Sequence, residues 1–268
     1  MGVKRSQTIL QGKKANRESG EPIPMPWPQL VQAGALVRRG QLTLIVGGPG
    51  TGKSLFAQSL LHRGDDNGLL AETLYFSADT DAGTFAQRAG SISTGYLLSD
   101  VQRLIAEGDD AGLEAAIAAH TGHMRMCYSS SIGEQELLDE LDAYAEIFGR
   151  YPTAVCVDNL SNLEMGDAEG EFQGLQAACT LLHDVARESN AAVIALHHTN
   201  SNYEDAGQPI PLSGIRGRVS KTPELIISLH RSGDFLKASV IKNRSGRAFA
   251  DGSNAIRIPV DLSRMRLG

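Results

Sequence analysis

With 268 residues and 41% hydrophobic content, the chain is long enough for one large domain with a full core. No run approaches about 18 uninterrupted apolar residues, and the first 17 residues are polar and basic, so neither a membrane span nor a secretory leader is read. The net charge of −6 is not that of a uniformly basic polyanion binder, and three isolated cysteines, Cys127, Cys156 and Cys179, exclude a disulfide framework or zinc site and fit a reduced, cytoplasmic setting.

The charge is uneven along the chain. Lys4, Arg5, Lys13, Lys14 and Arg17 precede any acid, and seven basic residues from Lys237 to Arg266 face only Asp251 and Asp261, whereas the region around 134–190 is acidic. Basic ends on an acidic body suit a polyanion partner, or simply a solvated tail. Residues 1–26 are read as a basic, proline-rich arm, punctuated by Pro22, Pro24 and Pro26, and residues 27–268 as one domain. A short helix is expected over 29–37, ahead of Gly40.

The next segment carries the chemistry. Leu42-Thr43-Leu44-Ile45-Val46 is a β-prone run. Gly47, Gly48, Pro49, Gly50, Thr51, Gly52, Lys53 and Ser54 follow as G-x-x-x-x-G-K-S, and Leu55 opens a helix expected over 53–62. Strand, glycine loop and helix is the context of a nucleotide-phosphate loop: backbone N–H groups turn inward around phosphate oxygens at a helix N-terminus. Lys53 is expected at the β- and γ-phosphates and Ser54 on Mg²⁺. Gly47–Leu55 is therefore the candidate nucleotide-binding segment.

Thr73–Ser77 reads as a second strand, followed by Asp79 and Asp81 and a helix from 82 to about 90. Asp79 lies on the sheet edge that bears Lys53 and is the candidate for positioning an attacking water, with Asp81 as substitute and helix capping as the competing role. Residues 97–120 read as helix broken near Gly108-Asp109-Asp110, 123–128 as a short strand, and 134–148 as an amphipathic helix whose Leu137, Leu138, Leu141, Ala145 and Phe148 recur at helical spacing. Thr153–Asp158 is a buried-type strand ending in an acid. Beside a phosphate loop, Asp158 is the expected metal-side carboxylate. After a helix over 171–189, a core strand over 191–196 ends in His197 and His198. Either histidine could touch a γ-phosphate; a metal site lacks a ligand cluster of suitable spacing. Residues 200–220 read as a long loop, 225–229 as a strand, and 236–242 with 255–259 as a closing hairpin. Strands alternating with helices predict an α/β fold, a mainly parallel twisted sheet with helices on both faces.

These pieces in this order resemble the RecA/DnaB superfamily of P-loop ATPases, and most closely the ATPase domain of DnaB-type and RepA-like hexameric replicative helicases, over about residues 27–250. Arg39–Ile45 with the phosphate loop is similar to that family's opening, and Tyr75–Thr80 to the segment with its catalytic glutamate, where this chain has Asp79, one methylene shorter. Val157-Asp158-Asn159-Leu160 resembles the metal-acid motif. Leu196–Asn200 falls on the sensor pair, with His198 on its second position. Lys242-Asn243-Arg244-Ser245-Gly246 is similar to the Lys-x-Arg-x-Gly segment. The resemblance implies Lys242 and Arg244 as fingers reaching a neighbour's nucleotide. It also implies that the loop 200–220 is a DNA-binding loop presenting Arg216, Arg218 and Lys221 to a channel. The loop 161–172 would be a second channel element, though Glu164, Asp167, Glu169 and Glu171 make it acidic.

For the chain as a whole, the resemblance implies a Mg²⁺-dependent ATP hydrolase that binds single-stranded DNA, forms a homo-oligomeric ring, expected as a hexamer, or a filament, and unwinds duplex DNA. Replication proteins are implied as further partners, no membrane is involved, and the setting is the cytoplasm of a bacterial host, with phage or plasmid origin. The rival readings are a recombinase or mediator that does not unwind, a KaiC-like regulatory ATPase and, with least support, a nuclease on this fold.

Overall fold

The apolar runs of the sequence become the strands of one sheet. A computed structural model describes residues 20–268 apart from 167, 169 and 206. The basic residues of 1–17, with Asp167 and Glu169, lie outside the described residues. In chain order the elements are α1 (Pro28–Gln32), β1 (Leu42–Gly47), α2 (Lys53–Arg63), β2 (Thr73–Ser77), α3 (Ala82–Thr94), α4 (Leu98–Glu107) and α5 (Ala111–Thr121). There follow β3 (Met124–Cys127), β4 (Ile132–Gly133), α6 (Glu134–Phe148), β5 (Ala154–Asp158), β6 (Leu163–Glu164), α7 (Glu171–Ser189) and β7 (Ala192–His198). The chain closes with β8 (Leu225–Ser232), β9 (Phe235–Asn243), β10 (Ala255–Asp261) and β11 (Arg266–Leu267).

Nine strands form the main sheet in the order β11-β10-β9-β8-β1-β7-β5-β2-β3. From β8 to β3 every pair is parallel, while β9, β10 and β11 are antiparallel additions. The fold is the expected α/β architecture. Because side chains alternate across a strand, Leu44 and Val46 of β1 join Val155, Val157, Val193 and Ala195 on the face covered by α6 and α7. Ile45 joins Tyr75, Cys156, Ile194 and Ile227 on the face covered by α1, α2 and α3. A strand buried on both faces must be apolar at nearly every position, as β1, β5 and β7 are.

Several boundaries differ from expectation for local reasons. The first helix stops at Gln32 because Gly34 takes φ +76°. β7 runs on through both histidines, and β8 continues to Ser232, where Gly233 (φ +57°) turns the chain into β9. The expected hairpin exists as β9 and β10, paired Ala255 to Ser239 through Pro259 to Phe235. β11 and the two-residue ladder of β4 with β6 are too short to leave a periodic signal. Residues 20–26 lie against the domain. The Gly20 and Ile23 amides donate to Arg39 O and Val37 O, both at 2.9 Å, and Ile23 and Met25 are buried.

Candidate functional site

The C-terminal ends of β1, β2, β5, β7 and β8 open on one edge of the sheet, and the candidate residues there come from separate segments of the chain. β1 ends at Gly47, and the loop Gly48–Gly52 leads into α2 at Lys53. Gly50 (φ +67°) and Gly52 (φ +106°) occupy the left-handed backbone that the inward turn of N–H groups requires. Gly48 answers to a close approach instead: a Cβ there would stand 2.4 Å from the carbonyl oxygen of Glu204. The loop after β7 thus rests on the phosphate loop.

Lys53 Nζ donates to the carbonyl oxygens of Gly47 at 3.0 Å and Gly48 at 3.1 Å. Burial lowers its pKa, against the opposing pull of Asp158 and Asp79. Asp158 is 2% exposed. Burial raises its carboxyl pKa, while hydrogen bonds from the Ser54 and Tyr75 hydroxyls hold it down. Tyr75 Oη donates to Asp158 Oδ2 at 3.1 Å. Ser54 and Asp158 thus converge as two hard oxygen donors, which fits Mg²⁺, an ion that keeps several waters and takes its other ligands from phosphates. Among the described residues no cluster of three or more His, Cys, Asp or Glu suits a metal held by protein alone.

Asp79 follows β2 and accepts a hydrogen bond from Asn159 Nδ2 at 2.8 Å; the same nitrogen lies 3.1 Å from His198 Nε2. His198 Nδ1 stands 3.4 Å from Lys53 Nζ. Burial, then Lys53, lowers the His198 pKa. The two acids after β2 separate in space, since Asp81 caps α3 by accepting from Thr84 N at 3.0 Å and Thr84 Oγ1 at 2.7 Å. His197 faces elsewhere: its Nε2 lies 2.9 Å from Arg216 O, and burial pushes its pKa down to about 4.

Lys53, Ser54, Asp79, Asp158 and His198 therefore line one cleft of about 450 Å³. Arg88, Arg231, Leu262 and Met265 line it too and had no sequence signal. Arg231 arrives because β8 pairs with β1, and Leu262 and Met265 because the C-terminal strands bring the chain back. Asn159, beside Asp158 in the motif, was legible only as a neighbour. The two arginines add cationic groups and the Leu262–Met265 pair an apolar wall, which suits a phosphorylated ligand with a planar base.

Lys242 and Arg244 lie at the opposite edge. Thr43 pairs with Leu225 and Leu225 with Asn243, so both basic residues sit beside the start of β1, about 13 Å along the strand from Gly47. Lys242 Nζ donates to Ser220 O at 2.5 Å and Lys221 O at 2.9 Å. Arg244 donates to Lys221 O at 2.7 Å and lies 3.4 Å from Glu224. Neither approaches the cleft of its own chain. Between the edges runs the segment Arg216–Lys221, packed along α7. Arg216, Arg218 and Lys221 are exposed, and Arg216 pairs with Glu171 at 2.6 Å. Glu171, expected in the acidic loop, is the first residue of α7, so that ion pair joins the long loop to the start of this helix.

Comparisons with known proteins agree with this geometry. Residues 14–203 match the AAA domain family. The Gene 65 protein of Mycobacterium phage L5 is 36% identical over 88% of each chain, and the Gene 65 protein of Mycobacterium phage D29 is 35% identical over 80% of this chain and 92% of that one. Among solved structures, the ATPase domain of G40P superposes with a TM-score of 0.78 at 16% identity, covering 97% of this chain and 95% of that one. A DnaB-like replicative helicase, described with its interactions with primase, gives 0.76 at 15% identity, covering 99% of this chain and 68% of that one. The RecA/DnaB fold expected from the motifs is the fold observed. No helix among the described residues is long and apolar enough to cross a membrane.

Proposed function

The chain belongs to the AAA domain family, and from that premise we propose that it is a Mg²⁺-dependent ATPase that moves on single-stranded DNA and separates duplex strands. The observation that carries the reading is the convergence of Lys53, Ser54, Asp158, Asp79 and His198 on one cleft from separate segments of the chain. In this reading Gly47–Leu55 wraps the phosphates and the adenine lies against Leu262 and Met265. Ser54 and Asp158 would hold Mg²⁺, which when bound would neutralise phosphate charge. Asp79 orients a water for in-line attack on the γ-phosphorus, with ADP as the leaving group. Lys53 donates to the γ-phosphoryl oxygens as charge builds on them.

Lys242 and Arg244 are read as fingers for a neighbouring subunit, and the support is their place across the sheet from their own cleft. A guanidinium there meets a phosphoryl group only in a ring or filament. Arg218 and Lys221 are read as phosphate contacts along a channel. Arg216 belongs to the same surface once it leaves Glu171, an exchange that DNA phosphates favour at low salt. A bacterial host infected by phage fits the kinship with the two phage proteins, and replication proteins as partners fit the likeness to a helicase described with its interactions with primase.

Strand displacement on a forked duplex tests the helicase reading. Release of the labelled strand that needs ATP and Mg²⁺ supports it. ATP turnover on single strands without displacement overturns unwinding and leaves a recombinase- or mediator-type ATPase.

A further inference from the structure

Asn159 has no assigned role, yet it touches two groups of the candidate machinery. Its Oδ1 accepts from the Ser161 backbone N–H at 2.8 Å and from the Ser161 hydroxyl. A backbone N–H can only donate, so this contact fixes which end of the amide is oxygen. The other end carries two N–H bonds and faces two groups, Asp79 Oδ2 at 2.8 Å and His198 Nε2 at 3.1 Å. The carboxylate accepts one proton. The second is aimed at His198 Nε2, which must then offer a lone pair. Burial and Lys53 keep the ring neutral near pH 7, and a neutral ring with Nε2 unprotonated carries its proton on Nδ1.

That proton points toward Lys53 Nζ, 3.4 Å away. Two donors face each other across this gap, and Lys53 directs its protons to the Gly47 and Gly48 carbonyls instead. An acceptor oxygen set beside the gap would receive from both. The other tautomer would put a lone pair on Nδ1, which Lys53 could occupy and which would repel a phosphoryl oxygen.

We propose that Asn159 is a positioning residue that holds His198 in its Nδ1–H tautomer, so that ring and lysine together present donors to the terminal phosphoryl oxygen of the nucleotide. The same amide ties His198 to Asp79, so the phosphate-facing ring and the water-facing carboxylate move as one unit. The inference rests on the reading of the cleft as an ATP site.

The test is ¹⁵N NMR of histidine-labelled protein at neutral pH, with the His198 signal identified by its loss in His198→Asn. The expected spectrum shows a protonated Nδ1 and an unprotonated Nε2. Asn159→Asp keeps the oxygen that binds Ser161 but has no N–H to donate, and should reverse the tautomer. In parallel, Asn159→Ala should lower the preference for a non-hydrolysable ATP analogue over ADP about tenfold, the effect of one charge-assisted hydrogen bond. A wild-type ring protonated on Nε2, in a protein that still prefers the ATP analogue, overturns this proposal alone, and needs no variant to fold. A protein that binds neither nucleotide overturns the phosphate role and the ATP reading together. An unchanged preference in Asn159→Ala also overturns the proposal.

Discussion

Lys53 and Asp158 are buried side chains lining one cleft, and neither has the environment of an ordinary surface charge. Burial acts against both, and each partly restores the other. Buried charges of this kind add little to stability, and perturbed groups gathered in a cleft fit a site shaped for a polyanion and its cation. At the same scale, Asp79 is exposed and held by the Asn159 amide, as a water-orienting carboxylate should be. Asp79→Asn is expected to lower kcat by about 10²- to 10⁴-fold while leaving ATP affinity within a few-fold, as steady-state turnover beside equilibrium binding would show. Much of this was legible, because the phosphate loop is local in sequence and a strand-end acid has few places to go. Arg88, Arg231 and Leu262 were not, since each reaches the cleft only through the way distant segments pack side by side. Two acids two residues apart offer the same two roles in sequence, and the start of α3 directly after Asp81 gives the cap to Asp81.

At the scale of elements, the sheet edge is held from an unexpected direction. Trp27 is 1% exposed, stacks on Phe56 of α2 at 4.3 Å between ring centroids, and donates its indole N–H to Leu267 O of β11 at 3.1 Å. One side chain thus joins the N-terminal segment, the helix that begins at Lys53 and the last strand. Trp27→Ala should cost about 3–5 kcal/mol in chemical denaturation and weaken nucleotide binding along with it. α2 also carries His62, buried against Ser93 Oγ at 2.9 Å, with a pKa pushed down to about 4 by burial and by His123, His120 and Arg63. His197 of β7 sits at about 4 as well. Both are bases whose folded pKa is depressed, so the unfolded chain takes up protons that the native one refuses. Above pH 6.5 neither affects stability. Between about pH 6.5 and 4 each should cost about 1.4 kcal/mol per pH unit, and His62→Gln should flatten that acid limb in a series of denaturant titrations. The amphipathic α6 matched its sequence span because its period is strong. β11 could not be read, because two residues have no period.

At the scale of the whole molecule, the nucleotide cleft and the Lys242–Arg244 pair occupy opposite edges of one sheet. On the proposed reading, a single chain carries two halves of a composite site, and the halves would meet only between copies. Lys53→Ala and Arg244→Ala, each inactive alone, should regain part of the turnover when mixed, since a mixed ring contains junctions with one intact cleft and one intact finger. Turnover that stays at background across all mixing ratios would contradict the shared site. The sequence motif named these residues, and the strand register explains why they cannot serve their own cleft. The acidic loop and the Arg216–Glu171 pair are the features that a channel-lining role must accommodate.

The most direct measurement of the central claim is ATP turnover with and without single-stranded DNA, with Lys53→Ala as the blank. A DNA-coupled motor should show strong stimulation by DNA, weaker at high salt and absent from Lys53→Ala. Turnover that Lys53→Ala abolishes but DNA leaves unchanged would contradict coupling to DNA and point to an ATPase that acts on protein partners.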